Sequence, residues 1–254
     1  GLLIPVGTAV AYFVVMFRSP KVTVPERTHL RAYIPLWIGA VLFFMITEQA
    51  AGKMATFAES NTDLRLPFFG WSTTAEAYQS VNPAAIVLLA PLIGILFTRR
   101  AGRFPSTIMK FVIAVLIVGL SALMLGYGFQ IWPGGQDLSP WWFLALVYVI
   151  QTVAELFLTP VGLATTTALA PKSFASQAMG LWWLSVAAGQ GVAGFVIAQT
   201  EHLSDATYYY GLGVATLLMA LVLFAVAPWT QRQMADVETA SGARDGAGDD
   251  GEGG

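Results

Sequence analysis

Residues 141–170 read WWFLALVYVIQTVAELFLTPVGLATTTALA, and how this stretch is read decides the fold. It carries one charge, Glu155, about fifteen residues in. As a helix rising 1.5 Å per residue it is long enough to cross a hydrocarbon core of ~30 Å. It would then hold Glu155 near the bilayer midplane, where an ionisable group cannot face lipid. On the 3.6-residue period Gln151, Glu155, Thr159, Gly162 and Thr166 share one stripe. That stripe is expected to line a cavity, and Pro160 invites a bend beside it.

The neighbouring sequence repeats the pattern. No charge occurs from Phe111 to Gln136, from Ser173 to Thr200, or from Ala206 to Gln231. Val81 to Thr98 is a fourth apolar window, and Tyr33 to Phe57 a fifth, interrupted only by Glu48 and Lys53. The expected spans are therefore 33–57, 81–98, 107–131, 141–170, 174–200 and 206–230. Ahead of them, 1–17 reads as the end of another helix and 18–32 as a cytoplasmic linker. Residues 231–254, ending in AGDDGEGG, read as a disordered acidic cytoplasmic tail. Composition agrees: 56% hydrophobic and 11% charged residues, with a mean hydropathy of +0.65, do not describe a water-facing surface, which needs about a quarter of its residues charged. The fold class is an all-α membrane protein, a six-helix bundle the size of one half of a twelve-helix transporter. Because the chain starts inside an apolar run at Gly1, it is expected to be a piece of something longer.

Lys and Arg fall unevenly between the spans. Arg18, Lys21, Arg27 and Arg31 precede the first full span; Arg99, Arg100, Arg103 and Lys110 join the second to the third; Lys172 joins the fourth to the fifth; Arg232 follows the sixth. The alternate loops carry Arg65, with Lys53 near a helix end, and otherwise acids such as Asp63, Glu76, Asp137 and Asp205. The positive-inside rule then sets both ends of the six-span unit, and hence the C terminus, on the cytoplasmic side. Cations confined to short connecting segments, in a chain of net charge −2, exclude a nucleic-acid partner. Zero cysteines remove disulfides and thiolate sites. His29 and His202 lie in loops without metal-ligand companions, and no nucleophile, phosphate-loop or dinucleotide motif occurs. Neither a metal nor a cofactor is expected, and what remains is transport across the lipid bilayer.

Two carboxylates thus stand where membrane burial alone does not explain them. Glu48 lies about sixteen residues into its span, in a polar patch with Thr47, Gln49 and Gly52, and Lys53 sits one turn nearer the outer surface. The next span opens with Ser80, Asn82 and Pro83 and contains Pro91 and Gly94, so it too can bend. An intramembrane carboxylate can mark a proton or substrate path. It can also be a structural partner, protonated or, for Glu48, paired with Lys53. Trp182 and Trp183 suit an interfacial belt as well as a gate, and the small-residue run AAGQGVAG (187–194) suggests close helix packing without a ligand.

Three stretches carry a resemblance: FFMITEQAAGKMATFA (43–58), YQSVNPAAIVLLAPLIGILFTR (78–99) and AELFLTPVGLATTTALAPKSFASQAMGLWWLS (154–185). They resemble the carboxy-terminal half of proton-coupled oligopeptide transporters of the major facilitator superfamily. The resemblance implies symport of di- and tripeptides with protons across the plasma (cell inner) membrane. It assigns Glu48 to proton coupling, and Glu155, with Asn82 beside it, to the peptide's free amino group. Trp182 resembles a cavity-wall residue, with Met179 and Trp183 near an inner gate. The partner these residues face in the family is the amino-terminal half, which is missing here. Rival readings are a major-facilitator carrier of nitrate, drugs or sugars, and a non-transporting membrane subunit.

Overall fold

The computed structural model describes residues 3–66, 71–99 and 106–249, with side chains through 233 except at 50 and 51. Arg100, Arg103 and the last residues of the tail lie outside the described residues. The α-helices are α1 Leu3–Arg18, α2 Val24–Thr47, α3 Lys53–Ser60, α4 Val81–Arg99, α5 Thr107–Ile131, α6 Trp141–Leu169, α7 Ala175–Gln199 and α8 Asp205–Asp249. Among the described residues six helical stretches are long and apolar enough to cross a membrane: Val24–Thr47, Ala75–Arg99, Thr107–Ile131, Trp141–Leu169, Lys172–Gln199 and Asp205–Gln233. The described residues contain no strand, only isolated bridges such as Thr62 with Ser139.

The first span departs from its expected bounds at both ends. It starts at Val24, inside the segment read as a linker, because a capping box holds its first turn. The Thr23 N–H donates to Glu26 Oε2 at 2.8 Å, the Thr23 hydroxyl accepts from the Glu26 N–H, and Pro25 follows within the first turn. It then ends at Thr47 instead of running on to 57. A 3₁₀ turn, Glu48–Ala51, and Gly52 separate it from α3. Helices α4 and α6 continue as unbroken helices through Pro91 and Pro160. At the other end of the chain the backbone of α8 runs on as a helix to Asp249, through most of the segment read as a tail. From Gln231 to Ala240 the sequence QRQMADVETA has neither Gly nor Pro to stop a helix already under way.

Packing places α8 along α5, α7 along α2, and α4 against α6. Polar bonds tie helices distant in sequence. The hydroxyls of Tyr33 and Thr166 share a bond of 2.8 Å, Trp37 Nε1 donates to the Leu181 carbonyl at 2.8 Å, and Gln151 Nε2 donates to Ser121 Oγ at 3.3 Å. In hydrocarbon such groups lack water as an alternative partner, so they select the rotation of each helix about its axis. Helix α4 is the least covered, with Val87, Leu88 and Leu92 exposed, and α1 lies against α7 with Phe13 edge-on to Trp37.

Candidate functional site

The break in the first span exposes one carboxylate and buries its neighbour. Gln49, 3% exposed, donates from Nε2 to the Met45 carbonyl at 2.9 Å and to the Tyr208 hydroxyl at 2.8 Å, and its Oε1 accepts from the Tyr209 hydroxyl at 3.0 Å. The side chain thus competes for a carbonyl one turn back while α8 holds it from outside, and a short 3₁₀ segment replaces the α-helix. Glu48 is exposed on this turn, and its Oε2 accepts from Gln190 Nε2 of α7 at 2.7 Å.

Glu155 is half-buried in α6, and its Oε2 accepts from Asn82 Nδ2, in the first turn of α4, at 3.1 Å. Asn82 therefore stands beside this acid. The two carboxylates share a pattern, since each is left partly accessible and each receives an amide N–H from a neighbouring helix. Among the described residues neither is ion-paired; the ion pairs are Lys53 with Asp205 and Arg65 with Asp63. Lys53, the candidate structural partner of Glu48, binds Asp205 at the start of α8 and lies over the Tyr208 ring, 4.9 Å from its centroid. The sequence reading missed Asp205 and Gln190; the signal for Gln190 was a lone carboxamide within AAGQGVAG.

The rest of the expected site is brought together only in part. On the α6 stripe Gln151 and Thr166 are buried and hydrogen-bonded, and only Glu155 and Thr159 remain half-open. Trp182 is expected at a cavity wall. It is 1% exposed, packed edge-to-face on Phe44 with centroids 5.9 Å apart, and its indole fills the space above Gly162. It is a wedge between α2, α6 and α7. Trp183 is 59% exposed and Met179 half-buried. A Cβ at Gly162 would stand 2.0 Å from Trp182 Cη2, so Gly162→Ala must displace the ring. We expect it to lower the thermal midpoint of the purified protein in detergent, with a loss of ~1–3 kcal/mol and a change in tryptophan emission; an unchanged midpoint and spectrum would contradict this packing.

A cleft of about 200 Å³ is lined by Leu66, Thr73, Tyr78, Val81 and Trp141, with neither carboxylate in its lining. Among the described residues no group of three or more His, Asp or Glu is placed to hold a metal ion.

Residues 5–212 match the family model PTR2, described as the POT family. An uncharacterized transporter of Bacillus subtilis, YclF, is 36% identical over 93% of this chain and 46% of its own length. A di-/tripeptide transporter of Lactococcus lactis subsp. lactis is 32% identical, covering 93% of this chain and 47% of that protein. Among solved structures, a POT family transporter in complex with 5-aminolevulinic acid superposes with a TM-score of 0.83 at 33% identity, covering 90% of this chain and 47% of that one. A mutant of the peptide transporter POT in complex with alafosfalin also gives 0.83, at 35% identity, covering 91% and 47%. The chain spans about half the length of the curated relatives it matches.

Proposed function

Because the chain belongs to the POT family, we propose that it forms the carboxy-terminal half of a proton-coupled symporter of di- and tripeptides, a carrier and not an enzyme. Six apolar helices and this membership make it a multi-pass membrane protein. The finer placement is part of the proposal: the cell membrane, with the C terminus cytoplasmic, on the distribution of Lys and Arg. The missing amino-terminal half of the same chain would complete the cavity and supply cations for the peptide carboxylate.

The observation that carries this reading is the pair of carboxylates, one in α6 and one at the end of α2, left accessible and met by amides, with no cation spent on them among the described residues. Glu155, steadied by Asn82, offers a charged acceptor to a substrate ammonium group, and Glu48 takes and releases the proton. Met179 and Trp183, toward the cytoplasmic end of α7, belong to the inner gate. The relatives support an amine-bearing solute: one is named as a di-/tripeptide transporter, and another was solved with 5-aminolevulinic acid. Nitrate and sugars lack the ammonium group that Glu155 is placed to hold.

The test is uptake of a labelled dipeptide by the full-length parent in liposomes with an inward proton gradient. Accumulation that a protonophore collapses and that unlabelled tripeptide, but not nitrate or glucose, competes away is the expected result. No saturable flux of any solute would favour the non-transporting subunit.

A further inference from the structure

Gln190 lies in the small-residue run of α7 that the sequence assigns to packing. At Gly189 an added Cβ would stand 2.8 Å from the Met45 backbone N, 2.8 Å from Phe44 Cβ and 2.9 Å from the Val41 carbonyl oxygen. Helix α7 therefore meets α2 backbone to backbone at that point, an approach that any larger side chain would prevent. The next residue is carried to the end of α2, where its Nε2 donates to Glu48 Oε2 at 2.7 Å. The other polar neighbours of Glu48 are already committed. Gln49 is held in the core by Tyr208 and Tyr209, and Lys53 by Asp205.

We infer that Gln190 is a positioning residue for Glu48, holding its carboxyl in one place through both halves of the proton cycle. A carboxylate only accepts hydrogen bonds, whereas the protonated acid also donates one. A carboxamide serves both: Nε2–H donates to the carboxylate, and after a half-turn about its last torsion Oε1 accepts the O–H of the acid. A lysine or arginine in the same place could only donate, and would oppose the proton's arrival by its charge. This inference rests on the proton role proposed above for Glu48.

The experiment is a double-mutant cycle in the full-length parent reconstituted in liposomes, comparing proton-driven dipeptide accumulation with peptide exchange in the absence of a gradient. Gln190→Met, of similar size without a hydrogen bond, is expected to lower accumulation about tenfold, the scale of a hydrogen bond to a charged group, and to leave exchange within about twofold. Gln190→Asn, which keeps the carboxamide on a shorter stem, should fall between it and the parent. Glu48→Gln/Gln190→Met should be no worse than Glu48→Gln alone, because the second change removes the partner of a side chain that no longer takes up a proton. Additive losses, or an equal fall of exchange and accumulation in both Gln190 variants, would overturn the positioning role alone. An unaltered Glu48→Gln carrier would overturn the proton role and this inference with it.

Discussion

Glu48→Gln is expected to lower proton-driven accumulation of a dipeptide by at least about tenfold while exchange of peptide across the membrane persists. A glutamine has nearly the shape of a protonated glutamic acid and no charge to lose. A carrier so altered still alternates with substrate aboard, but no longer couples each turnover to a proton. The site explains why such a change is tolerated by the fold. Glu48 lies exposed on a 3₁₀ turn, outside the buried core, and its one hydrogen-bonded side-chain partner among the described residues is the amide of Gln190, which can bond a second amide equally well. Paired measurements of gradient-driven uptake and counterflow in liposomes separate the two functions. Loss of both together would indicate misfolding or a substrate role, and unchanged accumulation would remove Glu48 from coupling.

Glu155→Gln is expected to raise the KM of peptides with a free amino terminus by about 10–100-fold, since a hydrogen bond to a charged group is worth ~1.5–3 kcal/mol. Here too the alteration is nearly isosteric, and the Asn82 side chain at 3.1 Å keeps an acceptor in the Gln carbonyl. The discriminating substrate is an N-acetylated peptide. It has no ammonium group to lose, so its weaker transport should change little between parent and variant. An equal loss for free and acetylated peptides, in a competition assay against the same labelled dipeptide, would mean that Glu155 shapes the cavity without binding the amine.

The six spans were legible in the letters because insertion into lipid is nearly a sum over residues: a run of ~20 apolar side chains crosses, wherever it sits in the chain. The same local sum identified Glu48 and Glu155 as charges needing an explanation, and the resemblance singled out Asn82 beside Glu155. Segment ends were read less well. The start of α2 at Val24 was written in the Thr23–Glu26 capping box, nine residues outside the apolar window that hydropathy marks.

Which face each side chain presents was decided by tertiary structure alone. Gln49 turned inward and Glu48 outward because tyrosines about 160 residues away, at the start of α8, capture the Gln49 amide. Lys53, one turn from Glu48 in sequence, went to Asp205 for the same reason. Trp182 filled the gap over Gly162, and Gly189 let α7 close on α2 so that Gln190 reached the acid. Hydropathy is insensitive to rotating a helix about its own axis, and these contacts are differences between rotations. They are set by where small residues allow two backbones to meet and by which buried polar groups find partners across the gap.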